Sequence, residues 1–197
     1  MSNTNKFSTK TLVLSAVLTA LVIILQFMGA FIKLGPFSIS LVLIPIVIGA
    51  ATCGTGIGAW LGFVFGAVVL ISGDAAAFLA VNVPGTIITV LLKGTACGYV
   101  AGLTYKYALK FMKNNYLAVI ASAIVCPVVN TGIFLLGCLV FFLDTVASWA
   151  AAAGLGGGTA HYMIFGLVGA NFLVELAINI VLSPVITRLL NIRAKQQ

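Results

Sequence analysis

Apolar residues run along this chain in long blocks, broken by short polar or glycine-containing turns. Their length separates them from buried strands or surface helices. A helix needs about 20 predominantly apolar residues to cross some 30 Å of hydrocarbon. Six blocks are predicted as transmembrane helices: Lys10–Ile32, Ile39–Cys53, Gly54–Ser72, Pro84–Met112, Tyr116–Leu143 and Tyr162–Leu190. The second is short, and only Gly and Thr between Ala51 and Gly56 mark its boundary with the third. That pair reads as two tight spans, with one re-entrant unit as the alternative. The expected fold class is an all-α integral membrane protein, a bundle of six transmembrane helices forming one domain over residues 1–197.

Composition removes the soluble alternative. Of 197 residues, 62% are hydrophobic and 7% charged, and the mean hydropathy is +1.24. A water-facing domain carries roughly a quarter charged residues, so the solvent that suits this surface is lipid. The first apolar run is too long for a signal-peptide core and is read as a retained span. Cys53, Cys97, Cys126 and Cys138 all lie in apolar stretches. Their spacing matches no zinc site, and they are read as small buried residues.

The net charge of +7 does not indicate nucleic acid, because the basic residues sit at the ends of apolar runs instead of among aromatics. With six spans, one side of the membrane receives Lys6, Lys10, Lys106, Lys110, Lys113, Arg188, Arg193 and Lys195. The other receives Lys33, with Asp74, Asp144 and His161. Eight cations against one place both termini in the cytoplasm. Residues 33–38, 73–83 and 143–161 then form the outer connections. The last carries the glycine-rich run from Gly154 to Gly158, which is expected to act as a pliable outer lid. It is no nucleotide-binding loop, since no strand precedes it.

Small residues mark close packing. Gly54, Gly58, Gly62 and Gly66 recur every four residues in the third span, and Gly94, Gly98 and Gly102 do so in the fourth. Such spacing lines one helix face and lets another backbone approach. Both faces are expected to pack inside the bundle. The first span has a similar pair, Ala16 and Ala20, beside Ser15.

Polar groups within the spans are the candidate site. Lys93 falls roughly 14 Å into the fourth span and Glu175 roughly 20 Å into the sixth, at 1.5 Å per residue. A charge near the midplane costs about 2.5–3.5 kcal/mol on insertion scales, so it must be paired, solvated or neutral. Asn171, Glu175 and Asn179 fall at i, i+4 and i+8 and form one polar stripe; Asn179, the deepest, reads most readily as structural. Asn130 and Gln26 lie at comparable depth in the outer half. Lys93 and Glu175 either satisfy each other or line an outward-facing cavity for a small polar molecule. Asn171, Glu175, Lys93, Asn130, Asn82, Gln26 and Trp60 are the candidate substrate-binding residues. Lys93 would face a carboxylate, and Glu175 and the asparagines hydroxyl or amide groups. Trp60, Trp149 and Tyr162 would suit an aromatic ligand or the membrane interface.

Several chemistries lack their residues. No Gly-x-x-x-x-Gly-Lys-Ser/Thr sequence is present, so P-loop ATP hydrolysis is not expected. One histidine without a His/Glu/Cys cluster argues against a metal centre, and no Gly-x-Ser-x-Gly motif accompanies His161. Neither an enzyme nor a cofactor is expected.

Over essentially its whole length the chain resembles the substrate-binding S component of an energy-coupling factor (ECF) transporter, a bacterial vitamin importer. Size, six spans, inside termini and the basic C-terminus all agree. Ala16 and Ala20 are similar to the Ala-x-x-x-Ala motif by which S components dock on their partner. The stretch from Gly58 to Gly66 followed by Gly73 and Asp74 is similar to the family's third span and outer loop. The helix with Asn171, Glu175, Asn179 and Pro184 resembles the last helix of riboflavin, pantothenate and folate members. The riboflavin-type members carry a lysine after the asparagine; Glu175 stands one turn after it here, which leaves the ligand open.

The resemblance implies capture of a vitamin from outside and association with a transmembrane coupling protein and two cytoplasmic ATPases. It further implies toppling of the whole body in the bacterial plasma membrane. Pantothenate, with one carboxylate, one amide and two hydroxyls, fits the polar inventory. A stand-alone secondary transporter or small channel is the competing reading, although no internal repeat supports it. A structural assembly protein is a third.

Overall fold

The computed structural model describes residues 9–30, 33–34, 37–38, 40–154 and 157–194. Helices dominate: α1 (Thr9–Gly29), α2 (Leu43–Cys53), α3 (Thr55–Ile71), α4 (Ala76–Leu79), α5 (Val83–Met112), α6 (Asn115–Phe141), α7 (Leu143–Ala152), α8 (Gly158–His161) and α9 (Ala170–Ala194). A π-helical segment, Tyr162–Gly169, joins α8 to α9. Two short strands, β1 (Lys33–Leu34) and β2 (Phe37–Ser38), pair antiparallel between α1 and α2.

Four stretches are long and apolar enough to cross a membrane: Thr9–Gly29, Val83–Met112, Asn115–Phe141 and Gly158–Arg188. The remaining two expected spans form separate apolar helices of 11 and 17 residues. At 1.5 Å per residue they reach roughly 16 and 26 Å, short of a 30 Å hydrocarbon core. Gly54 divides them at φ 97°, a backbone angle costly for any residue with a Cβ. The expected end of the first span at Ile32, the start of the second at Ile39, and Lys6 and Lys195 lie outside the described residues.

Local sequence accounts for the sharpest helix ends. Asn82 caps α5 by accepting the Gly85 N–H at 2.9 Å, and Pro84 occupies a first-turn position where no amide is needed. Asn114 caps α6 through the Tyr116 N–H at 2.9 Å.

Helices α3 and α5 meet along their glycines, as the small-residue spacing predicted. A Cβ on Gly58, Gly62 or Gly66 would strike the backbone of Gly98, Gly94 or Val90 respectively, and Gly102 abuts Thr55. This backbone approach sets the inner wall of the bundle. Leu18, Val22, Leu43, Ile46, Leu61, Phe65, Cys97, Val119, Cys126 and Ile186 fill the main core, while Phe78, Cys138, Phe142, Val146, Met163 and Leu167 form a second cluster.

The second cluster also takes in the 143–161 connection, where α7 and α8 flank the glycine run expected to form a lid. Val146 and Ala150, one turn apart, are buried and dock α7 on the bundle. Residues 155 and 156 of the glycine run lie outside the described residues. The 73–83 connection likewise contains α4, which inserts Phe78 into the cluster.

Candidate functional site

Where the two hydrophobic clusters meet, a cavity of about 90 Å³ remains. One water requires about 10–15 Å³ of such space, so there is room for several water-sized groups. Its apolar wall includes Phe65, Val69 and Val90 from the main core, Phe78 and Leu167 from the second cluster, and Phe134 and Phe172. The polar lining is Gln26, Ser40, Asp74, Lys93, Asn130, Thr131, Asn171 and Glu175.

They come from several parts of the chain. Helix α1 supplies Gln26, α5 supplies Lys93, α6 supplies Asn130 and Thr131, and α9 supplies Asn171 and Glu175. Asn171 and Glu175 share a helix face because they are four residues apart. Five of the seven predicted binding residues thus converge on one cavity: Gln26, Lys93, Asn130, Asn171 and Glu175.

Two hydrogen bonds close part of the wall. Gln26 donates from Nε2 to Asp74 Oδ2 at 2.6 Å, tying α1 to the connection after α3. The Ser40 N–H donates to Glu175 Oε1 at 2.9 Å, tying the segment before α2 to α9. Both carboxylates therefore act in the wall as hydrogen-bond acceptors.

Lys93 is placed differently. Its Nζ stands 5.4 Å from the Phe65 ring centroid and 5.5 Å from that of Phe134, within reach of a cation–π attraction. Among the described residues it makes no hydrogen bond and no ion pair within 4.0 Å. It makes no ion pair with Glu175 within 4.0 Å, so direct pairing of the two is not what the geometry shows. Asn130, only 5% exposed, has an Oδ1 with no hydrogen-bond partner among the described residues.

Two predicted binding residues lie elsewhere. The Asn82 side chain is occupied in capping α5. Trp60 is half exposed and donates from Nε1 to Thr19 Oγ1 at 3.2 Å. It lines an open groove with Ser15, Ala16, Ala20, Ile23 and Ile57 between α1 and α3. Neither residue lines the cavity. Asn179 is also outside it, donating to the Glu175 backbone oxygen at 2.8 Å within α9, in keeping with its structural reading.

Sequence reasoning did not propose Ser40, Thr131 or the phenylalanines. Asp74 was visible as a rare acid, but nothing in its surroundings brought it to Gln26. The phenylalanines carry no mark distinguishing a cavity-facing ring from a lipid-facing one.

Residues 10–187 match the family model for the substrate-specific component of ECF transporters. No curated protein matches the chain. The match spans nearly the whole sequence and takes in every helix that supplies the cavity. The chain therefore belongs to the ECF substrate-specific components, membrane subunits that bind a small-molecule substrate and work with a coupling protein and ATPases.

Proposed function

We propose that this chain captures a vitamin or related organic micronutrient on the outer side of a bacterial plasma membrane. It hands the compound to a transport complex built with a transmembrane coupling protein and two cytoplasmic ATPases. In this reading both termini are cytoplasmic and the six apolar helices form one substrate-binding body.

The observation that carries the proposal is the convergence of Gln26, Lys93, Asn130, Asn171 and Glu175 on one cavity inside an otherwise apolar bundle. Intramembrane ionisable groups are costly and mark functional sites by default. Concave, largely apolar sites with a few convergent polar groups suit small organic ligands. Glu175 and Asn171 occupy the α9 wall, Lys93 the α5 wall and Asn130 the α6 wall.

Docking belongs to the opposite kind of surface. Ala16 and Ala20 are exposed on α1 and line the groove beside Trp60. Small side chains there allow a partner helix to approach closely.

The test is a thermal-stability panel on the detergent-purified chain with B vitamins and related micronutrients. One compound should raise the melting temperature by several degrees, and Asn171→Ala should abolish that shift. At a ligand concentration 100-fold above Kd, binding stabilises by about 2.7 kcal/mol, which such a scan resolves. A stabilising compound whose shift survives both Asn171→Ala and Lys93→Gln would place the site elsewhere.

A further inference from the structure

The polar groups of the cavity are not all alike. Toward α1 and the segment before α2, Gln26 is paired with Asp74 at 2.6 Å and Glu175 with the Ser40 N–H at 2.9 Å. On α5 and α6, Lys93, Asn130 and Thr131 make no hydrogen bond from their side chains among the described residues. All three line the same space.

Their juxtaposition follows from helix geometry. Asn130, Thr131 and Phe134 are separated by four and three residues, the spacings that put side chains on one helical face. The Lys93 ammonium lies 5.5 Å from the Phe134 ring. It therefore stands beside the part of α6 that presents Asn130 and Thr131. Phe65 flanks it on the other side at 5.4 Å.

Three donors on an ammonium need acceptors when water is excluded, and burying a charged group unpaired is costly. No ion pair within 4.0 Å reaches Lys93 among the described residues, which leaves the ammonium's hydrogen bonds unused. An acceptor supplied by the ligand completes them, most strongly when it is anionic. The Asn130 Oδ1 conversely requires a donor. The site thus reads an acceptor next to an O–H or N–H.

Resting on the substrate-binding reading above, we infer that Lys93, Asn130 and Thr131 hold the polar end of the ligand, and that this ligand is a small organic acid carrying a hydroxyl or amide donor near its carboxylate. Glu175 is a positioning residue in this arrangement. It anchors the segment at Ser40, and the carboxylate of the ligand lies toward α5 and α6.

The experiment compares acids with their neutral counterparts on the full-length chain in detergent, by calorimetry and thermal shift. The probe pairs are pantothenate with pantothenol, nicotinate with nicotinamide, and biotin with biotinamide, set within the wider micronutrient panel. An acid should bind at least ten-fold more tightly than its neutral partner. Lys93→Gln should erase that preference, and Thr131→Val should weaken the acid about ten-fold. Glu175→Gln should keep or sharpen the preference for the acid, because it removes a negative charge from the same cavity wall. The acid–neutral comparison needs no variant, so a misfolded Lys93→Gln does not remove the test.

Equal binding of both members of a pair overturns the inference, as does a ratio lost in Glu175→Gln and kept in Lys93→Gln. A cation or neutral compound as the tightest ligand also overturns it, while leaving the substrate-binding reading standing. If no compound in the panel binds and reconstituted uptake is independent of the ATPases, both readings fall.

Discussion

At Gly62 a methyl group has no space. An added Cβ would overlap the carbonyl of Gly94 on the facing helix, and that clash is with backbone, which cannot rotate aside. Gly62→Ala is therefore expected to push α3 from α5 and destabilise the protein by about 1–3 kcal/mol, the usual cost of overpacking. Gly132→Ala is the matched control, because nothing lies within 4 Å of its added Cβ. Thermal melts of the two variants should separate clearly. A Gly62→Ala melt as high as the control would show that the helices do not pack this closely in solution. The same scale explains which site residues could be read beforehand. Lys93, Glu175, Asn130, Asn171 and Gln26 stood out because polar groups in lipid need a reason. Trp60 and Asn82 lie outside the cavity for an equally physical cause: an indole suits both a pocket and an interface, and an asparagine suits both a ligand and a helix cap. Thr131 passed unnoticed because a lone threonine inside a span commonly satisfies itself on its own helix, as Thr95 does on the Leu91 carbonyl.

Among elements, α5 shows how a terminus fixes the site. Lys93 lies ten residues after the start of α5 at Val83, so its position depends on where that helix begins. Asn82 sets the start by accepting the Gly85 N–H. Asn82→Ala should cost about 1 kcal/mol of stability, within the 0.5–2 range of lost caps, and Asn82→Ser should recover most of it. Because Asn82 does not line the cavity, ligand affinity measured below the melting transition should change less than it does in Thr131→Val. A larger loss would return Asn82 to the binding site. Long apolar elements were legible because their length alone exceeds any soluble alternative. The boundaries of α5 and α6 fall within two residues of the sequence reading. By contrast, α7 buries only Val146 and Ala150 of its ten residues, too sparse a pattern to separate it from an alanine-rich loop. The π-helical segment Tyr162–Gly169 was invisible for another reason. A continuous apolar run reveals no change of pitch, although that change sets the register in which Leu167, Val168 and Asn171 reach the cavity.

For the molecule as a whole, the proposed binding and docking roles fall on separate surfaces. The cavity lies where the two hydrophobic clusters meet, whereas Ala16 and Ala20 line an external groove between α1 and α3. The Trp60 indole forms one side of that groove, held by its hydrogen bond to Thr19, and stacks on Phe63 at 6.1 Å. A second helix can approach α1 closely because alanine projects so little from the backbone. Ala16→Trp with Ala20→Trp would fill the groove and hold a partner away, while leaving the cavity lining untouched. In proteoliposomes containing the coupling protein and ATPases, ATP-dependent uptake should fall to background in the double variant. Ligand affinity of the isolated chain should stay within about two-fold of the unmodified protein. Loss of affinity together with uptake would mean that α1 shapes the cavity, through Gln26, more than it shapes the docking face. Uptake that persists would remove these alanines from the interface and leave the groove to lipid. On the proposed function, the separation matters energetically, since the work of transport would reach the cavity through contact with the partner. A ligand held at Lys93, Asn130 and Thr131 would travel with α5 and α6, so transport driven from the α1 groove requires these helices to move together. The tight α3–α5 glycine contact, which joins one of the groove-forming helices to the helix bearing Lys93, would supply that mechanical continuity.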